Sequence, residues 1–193
     1  MCGITGFIGP WPDALLDQMV ASLRHRGPDG SGRHSDAPSG LGLGHTRLSI
    51  IDLSDAAAQP MASSDGRYVI SYNGEIYNYR ALRLELVDQG VIFRSDSDTE
   101  VLLHLFARDG LDCVHHLDGI FAFAVWDNQD RVLSLARDHL GVKPLYYADL
   151  AKGFLFASEL KSLVLCPDLP RALDPVTAAD QIGYAWSAGE ATM

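Results

Sequence analysis

Residues 1–10 read MCGITGFIGP, a cysteine directly after the initiator, then Gly3 and the apolar alternation of Ile4, Phe7 and Ile8. The alternation suits a buried strand, but a thiol beside the initiator has nothing to pack against and is an oxidation liability. Either Cys2 is incidental, or loss of Met1 makes it the first residue for a chemical reason. Initiator removal occurs when a small residue follows, and cysteine is small enough. The mature chain would then begin at Cys2, with a thiol and a free α-amine on one residue. An α-amine titrates near ~8, so it can relay a proton at neutral pH and needs no histidine base. Because an early cysteine alone is weak evidence, the remaining sequence has to supply its partners.

A length of 193 residues suits one domain with a sizeable core. At 47% hydrophobic and 21% charged, the composition is too apolar for a disordered chain. Fifteen basic against twenty-five acidic residues leave a net charge of -10, which disfavours nucleic acid or an anionic membrane and favours a small molecule or another protein. No apolar run reaches membrane-spanning length and no signal-peptide pattern opens the chain, so the cytoplasm is the expected setting. Cys2, Cys113 and Cys166 are odd in number and widely spaced, giving neither a disulfide framework nor a CxxC metal site. Cys113 and Cys166 lie in apolar contexts and read as structural.

Leu15, Leu16, Met19, Val20 and Leu23 recur at helical spacing and stop at the Gly/Pro/Asp loop HRGPDGSG. GLGLGHTRLSII reads as a strand, and RYVISYNGE as another that ends in a turn. Tyr79, Leu82, Leu86 and Val87 predict a helix closed by Gly90. Ser97 to Glu100, SDTE, has the form of a capping box before Val101, Leu102, Leu105 and Phe106, with Gly110 as the stop. GIFAFAVWD and RVLSLAR flank NQD as a hairpin, and the unbroken apolarity of Ile120 to Trp126 predicts a strand covered on both faces. Short strands around PLYYAD and GFLFAS precede a short helix at ELKSLV. LDPVTAADQIGYAWSAGEATM, residues 173–193, carries weak periodicity, and 166–193 reads as a tail or the start of a linker. The strands are expected to be antiparallel and layered with helices.

MCGITGF, RHRGPDGSG, HTRLSIID, NGEIYNYRAL, SDTE, LDGIFAFAVWD, RDHLGVKPLYY and FASELKSL occur in this order. Together they resemble the class II glutamine amidotransferase domain of the asparagine synthetase family, one of the N-terminal-nucleophile hydrolases. The resemblance spans residues 2–165. It implies an α+β fold, a four-layer α/β/β/α sandwich with two mainly antiparallel sheets. It also implies hydrolysis of L-glutamine to glutamate and ammonia, which four chemical demands must serve. Cys2 is the nucleophile. Asn73 and the backbone N–H of Gly74 hold the oxyanion, where such donors are worth ~2.7–4 kcal/mol each. Arg47 takes the substrate α-carboxylate and Asp98 its α-ammonium, so a free amino acid is selected over a peptide-bound side chain. Glu75 lines the pocket, Leu48 and Ile50 offer backbone contacts, His45 orients that wall, and Arg26 supports the cysteine.

Each assignment has a plainer rival. Arg47 suits a surface ion pair, Asn73-Gly74 a turn, and Ser97 with Asp98 a helix cap. RHRGPDGSG and GLGLGH match no phosphate-binding loop, and His115-His116 lack companion ligands at metal spacing and read as a helix surface. The family's larger synthetase domain, with its SGGxDS-like pyrophosphate loop, is not in this sequence. ATP and Mg are expected only there, and no cofactor is expected in this chain. The partner is then an ATP-dependent synthetase domain or subunit, with a homodimer left open. Two other readings are a catalytically silent module that binds and regulates a partner, and an N-terminal-nucleophile acylase. The joint presence of nucleophile, oxyanion pair and zwitterion clamps weighs against both.

Overall fold

The computed structural model describes residues 1–184. Strand β1 (Gly3–Ile8) is followed by α1 (Asp13–Ser22), β2 (Gly30–Asp36), β3 (Leu41–Arg47), β4 (Met61–Ala62) and β5 (Tyr68–Ile76). Helices α2 (Tyr79–Asp88) and α3 (Asp98–Asp109) lead through a 3-10 turn to the hairpin of β6 (Gly119–Asp127) and β7 (Val132–Arg137). A second hairpin, β8 (Tyr146–Leu150) and β9 (Gly153–Ala157), precedes α4 (Leu160–Leu163) and α5 (Pro175–Tyr184).

The strands form two sheets, ordered β2-β3-β1-β9-β8 and β4-β5-β6-β7, with antiparallel pairing throughout. Strand β1 is the middle strand of the first sheet. The residue before it therefore emerges at the centre of a layer rather than at a frayed edge.

Period-2 alternation along the strands divides the buried side chains among three cores. Ile4, Leu41, Leu43 and Phe156 of the first sheet meet Val69, Ala122, Ala124 and Trp126 of the second between the sheets. Phe7, Leu155 and Ala157 pack outward against Leu15, Leu16 and Met19 of α1 and Leu163 of α4. On the far side Ile70, Phe121, Phe123 and Val125 meet Leu82, Leu86, Val101, Leu102 and Leu105 of α2 and α3. The result is the four-layer α/β/β/α sandwich. Strand β6 explains its own apolarity: Ala122, Ala124 and Trp126 face one core while Phe121, Phe123 and Val125 face the other. The larger of these side chains, Phe121, Phe123 and Val125, each stabilise the fold by about 1.5–3 kcal/mol when fully buried. Cys113 and Cys166 are free and buried in these cores, and burial pushes the Cys113 thiol up to about 12.

Four local expectations need correction. The turn that ends RYVISYNGE comes later than its Asn-Gly pair suggests, because β5 runs through Asn73, Gly74 and Glu75 to Ile76, pairing with β6 throughout, and the turn falls at Tyr77 and Asn78. The strand in GLGLGHTRLSII stops at Arg47, leaving LSII as loop. Strand β2 was unforeseen, since GSGRHSD has no apolar alternation; as the edge of its sheet it needs none. Within 166–193, Pro175–Tyr184 form a helix whose first turn is capped by Asp174, which accepts from Val176 N at 3.3 Å and Thr177 N at 3.1 Å. The rest of that segment, residues 185–193, lies outside the described residues.

Candidate active site

Cys2 precedes β1 and meets the end of β3. The Leu48 backbone N–H donates to Cys2 Sγ at 3.3 Å, and the thiol donates to the Leu48 carbonyl at 3.6 Å. The Leu48 amide is therefore committed to the cysteine. Burial pushes the Cys2 thiol up, while the Leu48 hydrogen bond, the chain-terminal amine and Arg47 pull it down. Behind it, Arg26 Nε donates to the Cys2 carbonyl at 2.9 Å, and Arg26 Nη1 reaches Glu159 Oε1 at 2.9 Å. Glu159 also takes His25 Nε2 at 2.8 Å and Lys161 Nζ at 3.1 Å. Burial raises the Glu159 carboxyl, but these three donors outweigh it and bring it down to about 2.

The sulfur faces a cavity of about 130 Å³. Eight of the residues singled out from the sequence line it, Cys2, Arg47, Leu48, Ile50, Asn73, Gly74, Glu75 and Asp98, while His45 and Arg26 do not. Ile50 is 70% exposed and stands with the exposed Glu75 at the rim, whereas Asn73 is 1% exposed. Its Nδ2 is buried and has no hydrogen-bond partner. A buried amide donor left unpaired costs about 1–3 kcal/mol, so the position favours an incoming acceptor. Gly74 is required for a second reason besides ligand approach: a Cβ there would lie 2.5 Å from the Ile120 carbonyl oxygen and 2.6 Å from the Tyr72 ring. Close packing of β5 on β6 already demands glycine.

Asp98 sits at the first turn of α3, yet its carboxylate does not cap the helix. Ser97 does that, accepting from Glu100 N at 3.3 Å. The reciprocal half of the predicted capping box is replaced, since the Glu100 carboxylate accepts from Arg94 N at 3.0 Å and Ser95 N at 2.7 Å. Asp98 Oδ2 instead accepts from Tyr72 OH at 2.7 Å and Ile76 N at 3.2 Å. Burial still raises the Asp98 carboxyl above its ordinary value, with those bonds opposing it. A cationic group entering the cavity would offset that burial.

Arg47 lies at the end of β3 and makes no surface ion pair among the described residues. Its guanidinium donates to the Ser54 carbonyl at 2.9 Å and to the Asp52 carbonyl, so it holds the loop after β3 while facing the cavity. His45, 1% exposed, bonds through Nε2 to the Tyr72 carbonyl at 3.1 Å. Burial and the Arg47 charge lower its imidazole to about 4, so it is neutral at neutral pH.

Sequence reasoning missed Tyr72, Gln59, Lys143 and Glu159. Gln59 clamps the strand, its Oε1 accepting from Tyr72 N at 2.7 Å and its Nε2 donating to Thr99 Oγ1 at 3.1 Å. Lys143 and Glu159 fall inside RDHLGVKPLYY and FASELKSL, stretches whose individual residues carried no assigned chemistry. Among the described residues no group of three or more His, Cys, Asp or Glu side chains could hold a metal ion. Nor is any helix among them long and apolar enough to cross a membrane. A larger groove of about 590 Å³ runs along α1 and β2, but its lining has no cysteine, histidine or buried carboxylate.

The glutamine amidotransferase domain model matches residues 1–193. The chain is 42% identical over 193 residues to asparagine synthetase [glutamine-hydrolyzing] 3 of Bacillus subtilis, covering 95% of this chain and 30% of that protein. It is 41% identical over 170 residues to asparagine synthetase B [glutamine-hydrolyzing] of Escherichia coli, covering 85% of this chain and again 30% of the relative. It thus spans under a third of either protein. Among solved structures, the glutamine phosphoribosylpyrophosphate amidotransferase of B. subtilis superposes with a TM-score of 0.72 at 24% identity, over 85% of this chain and 43% of that one, a likeness of fold. The family model and the curated relatives agree, and the chain belongs to the glutamine amidotransferase domain family.

Proposed function

We propose that this chain, once Met1 is removed, hydrolyses glutamine to glutamate and ammonia through a thioester on Cys2. The freed α-amine takes the thiol proton as Sγ attacks the side-chain amide carbon. The amide oxygen becomes an oxyanion between Asn73 Nδ2 and the Gly74 N–H. When the intermediate collapses, the C–N bond breaks and the amine returns its proton to the leaving nitrogen, which departs as ammonia. Water, deprotonated by the same amine, then splits the thioester and releases glutamate. Arg47 and Asp98 hold the α-carboxylate and α-ammonium, which a peptide-bound glutamine lacks. Ammonia passes to an ATP-dependent synthetase part of the asparagine-synthetase type, to which ATP and Mg belong.

The observation that carries this reading is the buried, unpartnered Asn73 Nδ2 on the same small cavity as the Cys2 sulfur. The test is glutamate release from glutamine by the processed protein and by its Cys2→Ala variant. Loss of release in the variant is expected; equal release from both would remove the mechanism.

A further inference from the structure

Lys143 lies in the loop between β7 and β8 yet is only 7% exposed. The loop is folded around the Asp138 carboxylate, itself 4% exposed. Asp138 accepts from Phe121 N at 3.2 Å, Val142 N at 2.9 Å and Lys143 N at 3.0 Å. With its acceptor positions engaged by backbone, Asp138 is no counter-ion for the Lys143 side chain, which turns inward to line the Cys2 cavity. Among the described residues the Lys143 ammonium forms no ion pair. Its Nζ donates to Met1 Sδ at 3.3 Å. A thioether is a weak acceptor, and a buried ammonium is costly without a better partner. Removal of Met1 takes even that partner away and leaves the ammonium on the same cavity as Cys2, whose α-amine is then free.

We infer that Lys143 is a positioning residue acting through its charge: it keeps the freed Cys2 amine neutral, and so able to accept the thiol proton, at neutral pH. The inference rests on the hydrolase reading above. Two like charges sharing a partly desolvated site disfavour double protonation, and the more readily titrated amine gives up its proton first. The other ionisable groups facing this corner are the Cys2 thiol before β1, Arg47 on β3, Tyr72 and Glu75 on β5, Asp98 on α3, and Asp52 in the loop after β3. Arg26, behind the Cys2 carbonyl, is tied to Glu159. Arg47 adds to the effect of Lys143. Asp98 opposes it, but its Oδ2 is engaged by Tyr72 and Ile76.

The test is the pH dependence of kcat/KM for glutamine hydrolysis in the processed protein, with Lys143→Gln and Lys143→Arg. The acidic limb should move up by about one pH unit in Lys143→Gln and stay in place in Lys143→Arg. An unmoved limb in Lys143→Gln, with wild-type turnover intact, would overturn the role while leaving the hydrolase reading standing. So would a rise in KM alone, which would make Lys143 a ligand of the substrate carboxylate. Should Lys143→Gln fail to fold, an NMR titration following the Cα of residue 2 in a Cys2→Ser background reads the α-amine without turnover and without the thiol. The amine should titrate below that of the peptide Ser-Gly-Ile with Lys143 and with Lys143→Arg alike; a value equal to the peptide's would overturn the inference.

Discussion

Asn73→Ala separates a catalytic donor from a structural one. Asn73 sits in the middle of β5, paired with Ala122 of β6, so truncation leaves the ladder intact. Its Nδ2 has no partner in the free protein, and removing it relieves a buried donor penalty of about 1–3 kcal/mol. Against that stand the lost contacts of the truncated side chain, on the order of 1–2 kcal/mol. Folding stability should therefore change between a loss of about 1 kcal/mol and a gain of about 2 kcal/mol. On the proposed mechanism the same group is one of two oxyanion donors, worth ~2.7–4 kcal/mol, so kcat should fall by about 10²–10³. The assays are glutamate release under saturating glutamine and urea unfolding of both proteins. Turnover within about threefold of wild type, a barrier change under about 1 kcal/mol, would refute the oxyanion role. An unfolding midpoint falling in step with activity would refute it equally.

Two further predictions concern pH and stability. His45 titrates at about 4 in the folded chain against about 6.5 when unfolded, so acid favours the unfolded state. About 2–3 kcal/mol should be lost between pH 7 and pH 4.5, and His45→Gln should flatten that slope in urea unfolding at the two pH values; equal losses in both proteins would exclude His45 as the cause. Glu159 has the opposite sign of charge and a carboxyl held at about 2, so its contribution is present above about pH 4.5 and disappears as pH falls through about 2. Glu159→Gln should cost about 1–2 kcal/mol at pH 7, with the gap to wild type closing toward pH 2. A gap that stays constant with pH would rule out the ionised carboxylate as its source.

The layers were legible because burial writes its period into the chain. Strand β6, the helical spacing of Leu15 to Met19, and the glycine stops at Gly90 and Gly110, where φ is 90° and 61°, are each local signals read without tertiary knowledge. Strand β2 was hidden because its partner is backbone on one side and solvent on the other, which leaves its side chains free to be polar. Asn73-Gly74 shows how local signals mislead: the pair favours a turn in isolation, but pairing with β6 holds it extended. The eight cavity residues were found through the resemblance of whole motifs. Lys143 and Glu159 were not, because their importance lies in contacts spanning 142 and 133 residues, to Met1 and Arg26, that no local pattern encodes.

The central place of β1 also sets a timetable. Translation delivers this strand first, yet its flank toward β9 stays open until Ala157 has been made. At about 5–20 residues per second that interval lasts roughly 8–30 s. During it β1 can pair only with β3, whose last partner is Thr46, and its other flank stays uncovered. Met1 is still 56% exposed once the sheet is complete, so on the reading proposed above its trimming can begin during synthesis and does not depend on it.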